Sequence, residues 1–154
     1  MKTRDRINAA LKTAMKEKQA GRLSTLRLIN AAIKDRDIAA RGTEDDAPGG
    51  VSDEAVRQIL GRMVKQRQES VRAYEEGGRL ELADREREEI EIITEFLPRQ
   101  LSEAETDRAI DEAIARNSAS SIRDMGRVMS DLKSRHAGQM DFGAVGPRVK
   151  DRLA

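Results

Sequence analysis

Apolar side chains recur along this chain at intervals of three and four. Nowhere do they alternate convincingly with polar ones as in a half-buried strand, so the pattern predicts an all-α protein. The first helix is predicted from about Thr3 to Ala20, with Ile7, Leu11, Ala14 and Met15 on one side and Gly21 as its stop. In "LSTLRLINAAIKDRDIAARG" Leu26, Ile29, Ile33 and Ala40 share a face, Ser24 offers an N-cap and Gly42 a stop. The following "GTEDDAPGGV" combines acids, proline and glycines and reads as a surface loop.

Ser52 opens a third helix, with Asp53 and Glu54 in the first turn where acids suit the positive end of the helix dipole. Its apolar stripe is Val56, Leu60, Met63, Val71 and Tyr74, and "EEGG" closes it. A fourth helix starts near Arg79, carries Leu82, Ala83, Ile90, Ile93 and Leu97 inward, and is halted by Pro98, which lacks an N–H and disfavours helix in the residue before it. Four helices with short connections predict an antiparallel bundle over residues 1–97.

A second unit, 99–154, opens on "SEAE", a capping box of Ser102 and Glu105. Ala109, Ile110, Ala113 and Ile114 form the inner face of helix five. After "NSASS", Ser120 or Ser121 caps helix six, whose inner face is Ile122, Met125, Val128, Met129 and Leu132. A last helix would bury Phe142, Val145, Val149 and Leu153. Pro147 complicates its start: inside a helix begun at Asp141 it would cost about 3 kcal/mol, whereas Gly146 as N-cap with Pro147 first removes that cost. The shorter helix is the preferred expectation. Together these elements predict a small three-helix domain.

Composition narrows the chemistry. Without cysteine there is no disulfide framework, thiolate metal site or cysteine nucleophile, and a reducing compartment is compatible. No apolar run has the length of a membrane span, and the start lacks the apolar core of a signal peptide. A soluble, cytoplasmic chain with no membrane contact is therefore expected. The 29 basic and 28 acidic side chains are segregated: residues 1–41 carry 11 and 4, residues 42–100 carry 9 and 15, and residues 116–154 carry 8 and 4. Such patterning usually marks solvated helix faces, so oppositely charged helices lying against one another are the first expectation. For the C-terminal excess, the only evident internal partner is the acidic stretch 103–112.

The usual catalytic constellations are missing. There is no phosphate loop, no G-x-G-x-x-G after a strand and no H-E-x-x-H. The lone His136 suits the dipole at a helix C-terminus, and Ser120 and Ser121 suit a cap. Asp84, Glu88 and Glu91 or Glu95 could reach one cation from a helix face, but Arg85 and Arg87 between them favour a solvated, salt-bridged surface. Neither a metal, a cofactor nor a catalytic residue is assigned.

What remains is a basic face with a peculiarity. At helical spacing Arg123, Arg127, Ser130 and Ser134 cluster opposite the apolar side of helix six, while Gly126 falls on a neighbouring stripe with Ile122, Met129 and Lys133. Glycine inside a helix costs roughly 0.5–1 kcal/mol relative to alanine, so something should approach the backbone there. Another helix and a nucleic-acid phosphate both fit, and local features favour the helix. Tyr74, Phe96 and Phe142 all lie on apolar stripes, so base stacking is not expected and any nucleic acid would be held by its backbone.

"LSTLRLINAAIKDRDI", "QRQESVRAYEEGGRLELADREREEIEIITEFLPRQLSEAE" and "DMGRVMSDLKSRHAGQMD" resemble successive signatures of the GatB/YqeY family in its short stand-alone form. The C-terminal part is similar to the tail domain of the B subunit of the glutamine-dependent aspartyl/glutamyl-tRNA amidotransferase. That domain is a tRNA-binding appendage, separate from the amide-transfer chemistry. The family's D-M-G-K-V-M pattern stands here as Asp124 to Met129 with Arg127 for lysine, and its glycine turn and aspartate as Gly138 and Asp141. Where many members read D-G-K, this chain has Asp141, Phe142, Gly143 and Ala144, so one basic side chain is missing.

The resemblance implies a noncatalytic tRNA- or RNA-associated protein using Arg123, Gly126, Arg127, Lys133, Arg135 and Lys150. Its alternatives are an accessory role beside an amidotransferase, the family's label being carbon-nitrogen ligase activity with glutamine as amide donor, and a protein-interaction module.

Overall fold

The computed structural model describes residues 2–154 and is all-helical, with no strand among them. Its helices fall into two units, Met1–Leu97 and Pro98–Ala154.

The first unit contains α1 (Thr3–Lys16), α2 (Ala20–Ala40), α3 (Asp53–Glu76) and α4 (Leu80–Thr94). Its centre is built from the stripes seen in the sequence: Ile7 of α1, Leu26, Ile29 and Ile33 of α2, Val56 and Leu60 of α3 and Ile93 of α4 are almost wholly buried. Each such side chain contributes roughly 1.5–3 kcal/mol of transfer free energy. Met15, expected inside, is instead 53 % exposed in the last turn of α1.

The junction of α1 and α2 differs from expectation. α1 stops at Lys16 rather than running to Ala20, because Lys18 takes the left-handed conformation (φ 56°). Gln19 N–H then reaches Ala14 O (3.0 Å) and Lys18 N–H reaches Met15 O (3.3 Å), a Schellman closure made without glycine. Gly21 consequently lies inside the first turn of α2, and Ser24 is a helical residue rather than a cap.

Two carboxylates fasten the loop between α2 and α3. Asp37 accepts two hydrogen bonds from the Arg4 guanidinium (2.9 Å each) and one from Val51 N–H (2.8 Å). The Arg4 contact is the chief reason its carboxyl sits below the ordinary value. Gly50 (φ 86°) passes so close that a Cβ there would lie 2.6 Å from an Arg4 nitrogen and 2.7 Å from an Asp37 oxygen. Asp53 accepts Thr3 N–H at 2.7 Å, so the start of α3 satisfies an end of α1 that has no side-chain cap of its own. Ser52 caps α3 as expected, accepting Ala55 N–H. Basic and acidic segments do meet, through Arg22 with Glu95 and Arg36 with Asp45, but Arg4 and Asp37 both come from the basic segment.

The second unit contains α5 (Glu103–Arg116), a 3-10 turn (Ile122–Asp124), α6 (Met125–Arg135) and α7 (Phe142–Leu153). Ala109, Ile110, Ala113, Val128, Leu132, Val145, Val149 and Leu153 form its core, and α6 packs against both α5 and α7. The capping box at Ser102 and Glu105 is formed, and Arg99 holds the outer edge of the same glutamate at 2.8 and 2.9 Å. Those contacts, led by Arg99, bring the Glu105 carboxyl down to about 2.

α7 corrects the expectation about Pro147. The helix begins at Phe142, with Asp141 as N-cap accepting Gly143 N–H at 3.0 Å, and Pro147 lies in its interior. Burial outweighs the lost backbone bond: the longer helix puts Val145, Val149 and Leu153 on one inward stripe. It also aims Arg148 and Arg152 at α5, where they pair with Glu103, Asp107 and Asp111. The acidic stretch is thus an internal partner for part of the C-terminal basic excess.

Candidate nucleic-acid interface

The surface of interest is organised by the entry to α6. Asp124 accepts Ser120 N–H at 2.9 Å and Ser121 N–H at 3.3 Å, fixing the chain just before the helix, and also receives the Arg127 guanidinium at 2.6 Å. The backbone donor of Ser120 is the main cause, with Arg127 next, of a carboxyl held below its ordinary value. With the entry set, Val128 and Leu132 face the core and are fully buried, and Met125 and Met129 flank them partly buried. Everything on the opposite side of α6 is then polar or small.

That side forms a shallow, open groove lined by Gly126, Arg127, Ser130, Asp131, Ser134 and Arg135 of α6 and by Arg116 and Asn117 from the end of α5. The two elements are tied across it by Asp131. Its carboxylate takes Arg116 at 2.9 Å, Arg135 at 2.8 Å and the Asn117 amide at 2.9 Å. Burial works against the charge of Asp131, but these hydrogen bonds from Arg135, Arg116 and Asn117 outweigh it and hold the carboxyl below its ordinary value. Three guanidinium groups against one carboxylate leave the lining with a net charge of +2. Ser130 and Ser134 add hydroxyl donors, and no aromatic ring lines the groove.

Gly126 has an ordinary helical backbone, and a Cβ built on it would meet nothing within 4 Å. Helix packing, the reading that local features favoured for this glycine, therefore has no counterpart among the described residues: its bare backbone forms part of an open floor. Of the residues singled out in sequence, Gly126, Arg127 and Arg135 are brought together here. Lys133 is exposed on α6 outside the groove, and Lys150 is exposed on α7. Arg123 is exposed too, but it belongs to the 3-10 turn, whose tighter winding breaks the 100° spacing that placed it beside Arg127. Ile122, expected inside, is 47 % exposed for the same reason.

Sequence reasoning missed Arg116, Asn117 and the tying role of Asp131. The local signal is faint: Asn117 is the C-cap of α5, followed by Ser118 in the left-handed region (φ 49°), which marks a helix end without saying what it borders. His136 is the C-cap of α6, with Nδ1 3.0 Å from the Gln139 side-chain oxygen. On α4, Arg87 engages Asp84 at 2.7 Å and also Glu75, and no cluster of three metal-ligating side chains exists among the described residues.

These features define an all-α protein of two helical units whose distinctive surface is an arginine-lined groove on α6. The chain belongs to the YqeY-like protein family, whose model matches residues 4–153. Among its relatives is the protein called altered inheritance of mitochondria protein 41, mitochondrial, of Lachancea thermotolerans. It is 32 % identical over 102 residues, which are 65 % of this chain and 51 % of that protein. The protein of the same name in Pyrenophora tritici-repentis is 26 % identical over 138 residues, 84 % of this chain and 71 % of its own length. The chain thus spans about half the length of the first relative. Among the described residues no helix is long and apolar enough to cross a membrane.

Proposed function

We propose that the C-terminal unit binds the sugar-phosphate backbone of a folded RNA, tRNA above all, in the groove on α6, and that it does so without catalysis. The observation that carries this reading is Gly126. A helix bears the cost of a glycine whose side-chain position is empty inside the protein, directly beside Arg127, which suits close approach by something from outside. Guanidinium groups, serine hydroxyls and the absence of rings match phosphate contacts rather than base stacking. Similarity to the amidotransferase tail domain supports the same ligand. Any connection with glutamine-dependent amide transfer is then accessory: the chain holds or presents RNA while other domains do the chemistry.

Filter binding of tRNA across a salt series tests the proposal. Three arginines each engaging one phosphate give a log K against log salt slope of about −2 to −3, at roughly 0.7–0.9 per contact. Replacing Arg127 and Arg135 together by glutamate should weaken binding at least tenfold and flatten that slope. Unchanged binding in the double variant would sink the site, and glutamine hydrolysis by the pure protein would overturn the noncatalytic reading.

A further inference from the structure

α2 carries two seams. Its inner one, Leu26, Ile29, Ile33 and Ala40, is buried in the core of the first unit. On the opposite side Ser24, Leu28, Ala31, Asp35 and Ile38 follow one another at intervals of four, three, four and three residues, and all five are exposed. That is the spacing of a coiled-coil seam, with Leu28 and Asp35 at a positions and Ser24, Ala31 and Ile38 at d positions. Leu28 is 46 % and Ile38 56 % exposed, although a surface helix ordinarily turns charge outward. The g positions beside this seam within α2 are Arg27 and Lys34, seven residues apart and both basic, and Arg41, seven further on, is the C-cap of the helix. Arg27 and Lys34 make no ion pair among the described residues.

We propose that the outer face of α2 is a docking seam for an acidic amphipathic helix of a partner protein. Leu28 and Ile38 supply the apolar contacts, Ser24 and Ala31 let the partner backbone come close, and the basic g positions select glutamates or aspartates flanking the partner's own seam. Asp35 fixes register by demanding a lysine or a neutral polar side chain opposite it, as a single polar a position does. The same residue argues against a lipid surface, since it lies on the midline of the stripe and would be pressed into the acyl region. The Asp35 carboxylate, together with the exposed Leu28 and Ile38, likewise suits a helix better than an RNA backbone. The inference is independent of the groove on α6, which lies in the other unit.

The test is fluorescence anisotropy of the full chain with a labelled three-heptad synthetic peptide. The peptide has leucine at a and d, one lysine set to face Asp35, and glutamate at e and g. Binding is expected, to fall at least tenfold in Arg27→Glu with Lys34→Glu, and to return when that variant meets a peptide bearing lysine for glutamate. Leu28→Glu should abolish it. Should charge reversal disturb folding, seen as lost helical ellipticity, Ala31→Lys blocks the same exposed seam with one substitution and should also weaken binding tenfold. Any of three results would overturn the proposal: equal binding by wild type and the blocked variants, equal binding of a scrambled peptide of the same composition, or displacement of the peptide by tRNA, by anionic vesicles or by a second copy of the chain.

Discussion

Replacing Gly126 by alanine separates two causes that a binding experiment alone would confuse. If the glycine served the fold, a methyl group there would clash or strain the backbone, and the variant would lose stability. The backbone at Gly126 is ordinary helix and its Cβ direction is open to 4 Å, so only the intrinsic helix preference changes. That preference favours alanine by roughly 0.5–1 kcal/mol. With a urea m value of about 1.5 kcal/mol/M the unfolding midpoint of the transition containing α6 moves up by about 0.3–0.7 M. Gly126→Gln keeps most of this gain while laying a long side chain across the groove floor, and tRNA affinity should then drop by about tenfold, the equivalent of 1.4 kcal/mol. A stability gain with a binding loss is the signature of a residue retained for its ligand. Loss of stability in Gly126→Ala would refute the claim that nothing inside the protein needs the bare backbone, and undiminished binding by Gly126→Gln would remove the groove floor from the interface.

Three further outcomes follow from particular contacts. Pro147→Ala restores an N–H that Gly143 O can accept in the interior of α7 and should stabilise the second unit by about 1–3 kcal/mol in urea unfolding, whereas destabilisation would show the proline to be packed rather than merely tolerated. Asp37→Asn weakens the tie between α1, α2 and the following loop and should cost about 1–2 kcal/mol at neutral pH. Because the folded pKa of Asp37 is lowered, its contribution is present above the unfolded value near 3.8 and is lost as pH falls through the folded one, so wild type and Asp37→Asn should converge in stability below that range. A carboxyl NMR titration should place Glu105 at about 2, moving back up toward the ordinary value in Arg99→Ala; a wild-type midpoint near 4.5 would contradict the capping contacts.

The all-helical fold was legible in the sequence because it rests on periodicity, and periodicity needs no knowledge of neighbours. Leu26, Ile29 and Ile33, or Val128 and Leu132, can be assigned to an inner face from spacing alone. Ser52 and Ser102 were equally readable, since an N-cap is a local contract between a hydroxyl and the next turn. Errors arose where a local rule had a rival. The α1 stop passed to Lys18 because a Schellman closure needs a left-handed residue, which glycine usually but not always supplies. Pro147 entered α7 because the turns before it are themselves helical: Asp141 caps them, and they bury Val145 on the same stripe as Val149 and Leu153, which outweighed a propensity penalty.

The candidate site divides in the same way. Arg127, Ser130 and Ser134 share a helix face and could be grouped from sequence, whereas Gly126, placed there on the neighbouring stripe, joins them only in the folded groove. Arg116 and Asn117 join them only through the packing of α5 on α6 and the shared carboxylate of Asp131, which no spacing rule reveals. Arg123 moved away because three residues of 3-10 winding precede α6.

The groove is tested most directly by following the backbone amides of the isotopically labelled full chain as tRNA is added at low salt. Shifts and line broadening should concentrate at Gly126, Arg127, Ser130, Ser134 and Arg116, be lost together in Arg127→Glu with Arg135→Glu, and fade as salt rises. Perturbations centred on other residues, with these amides unmoved at saturating tRNA, would contradict it.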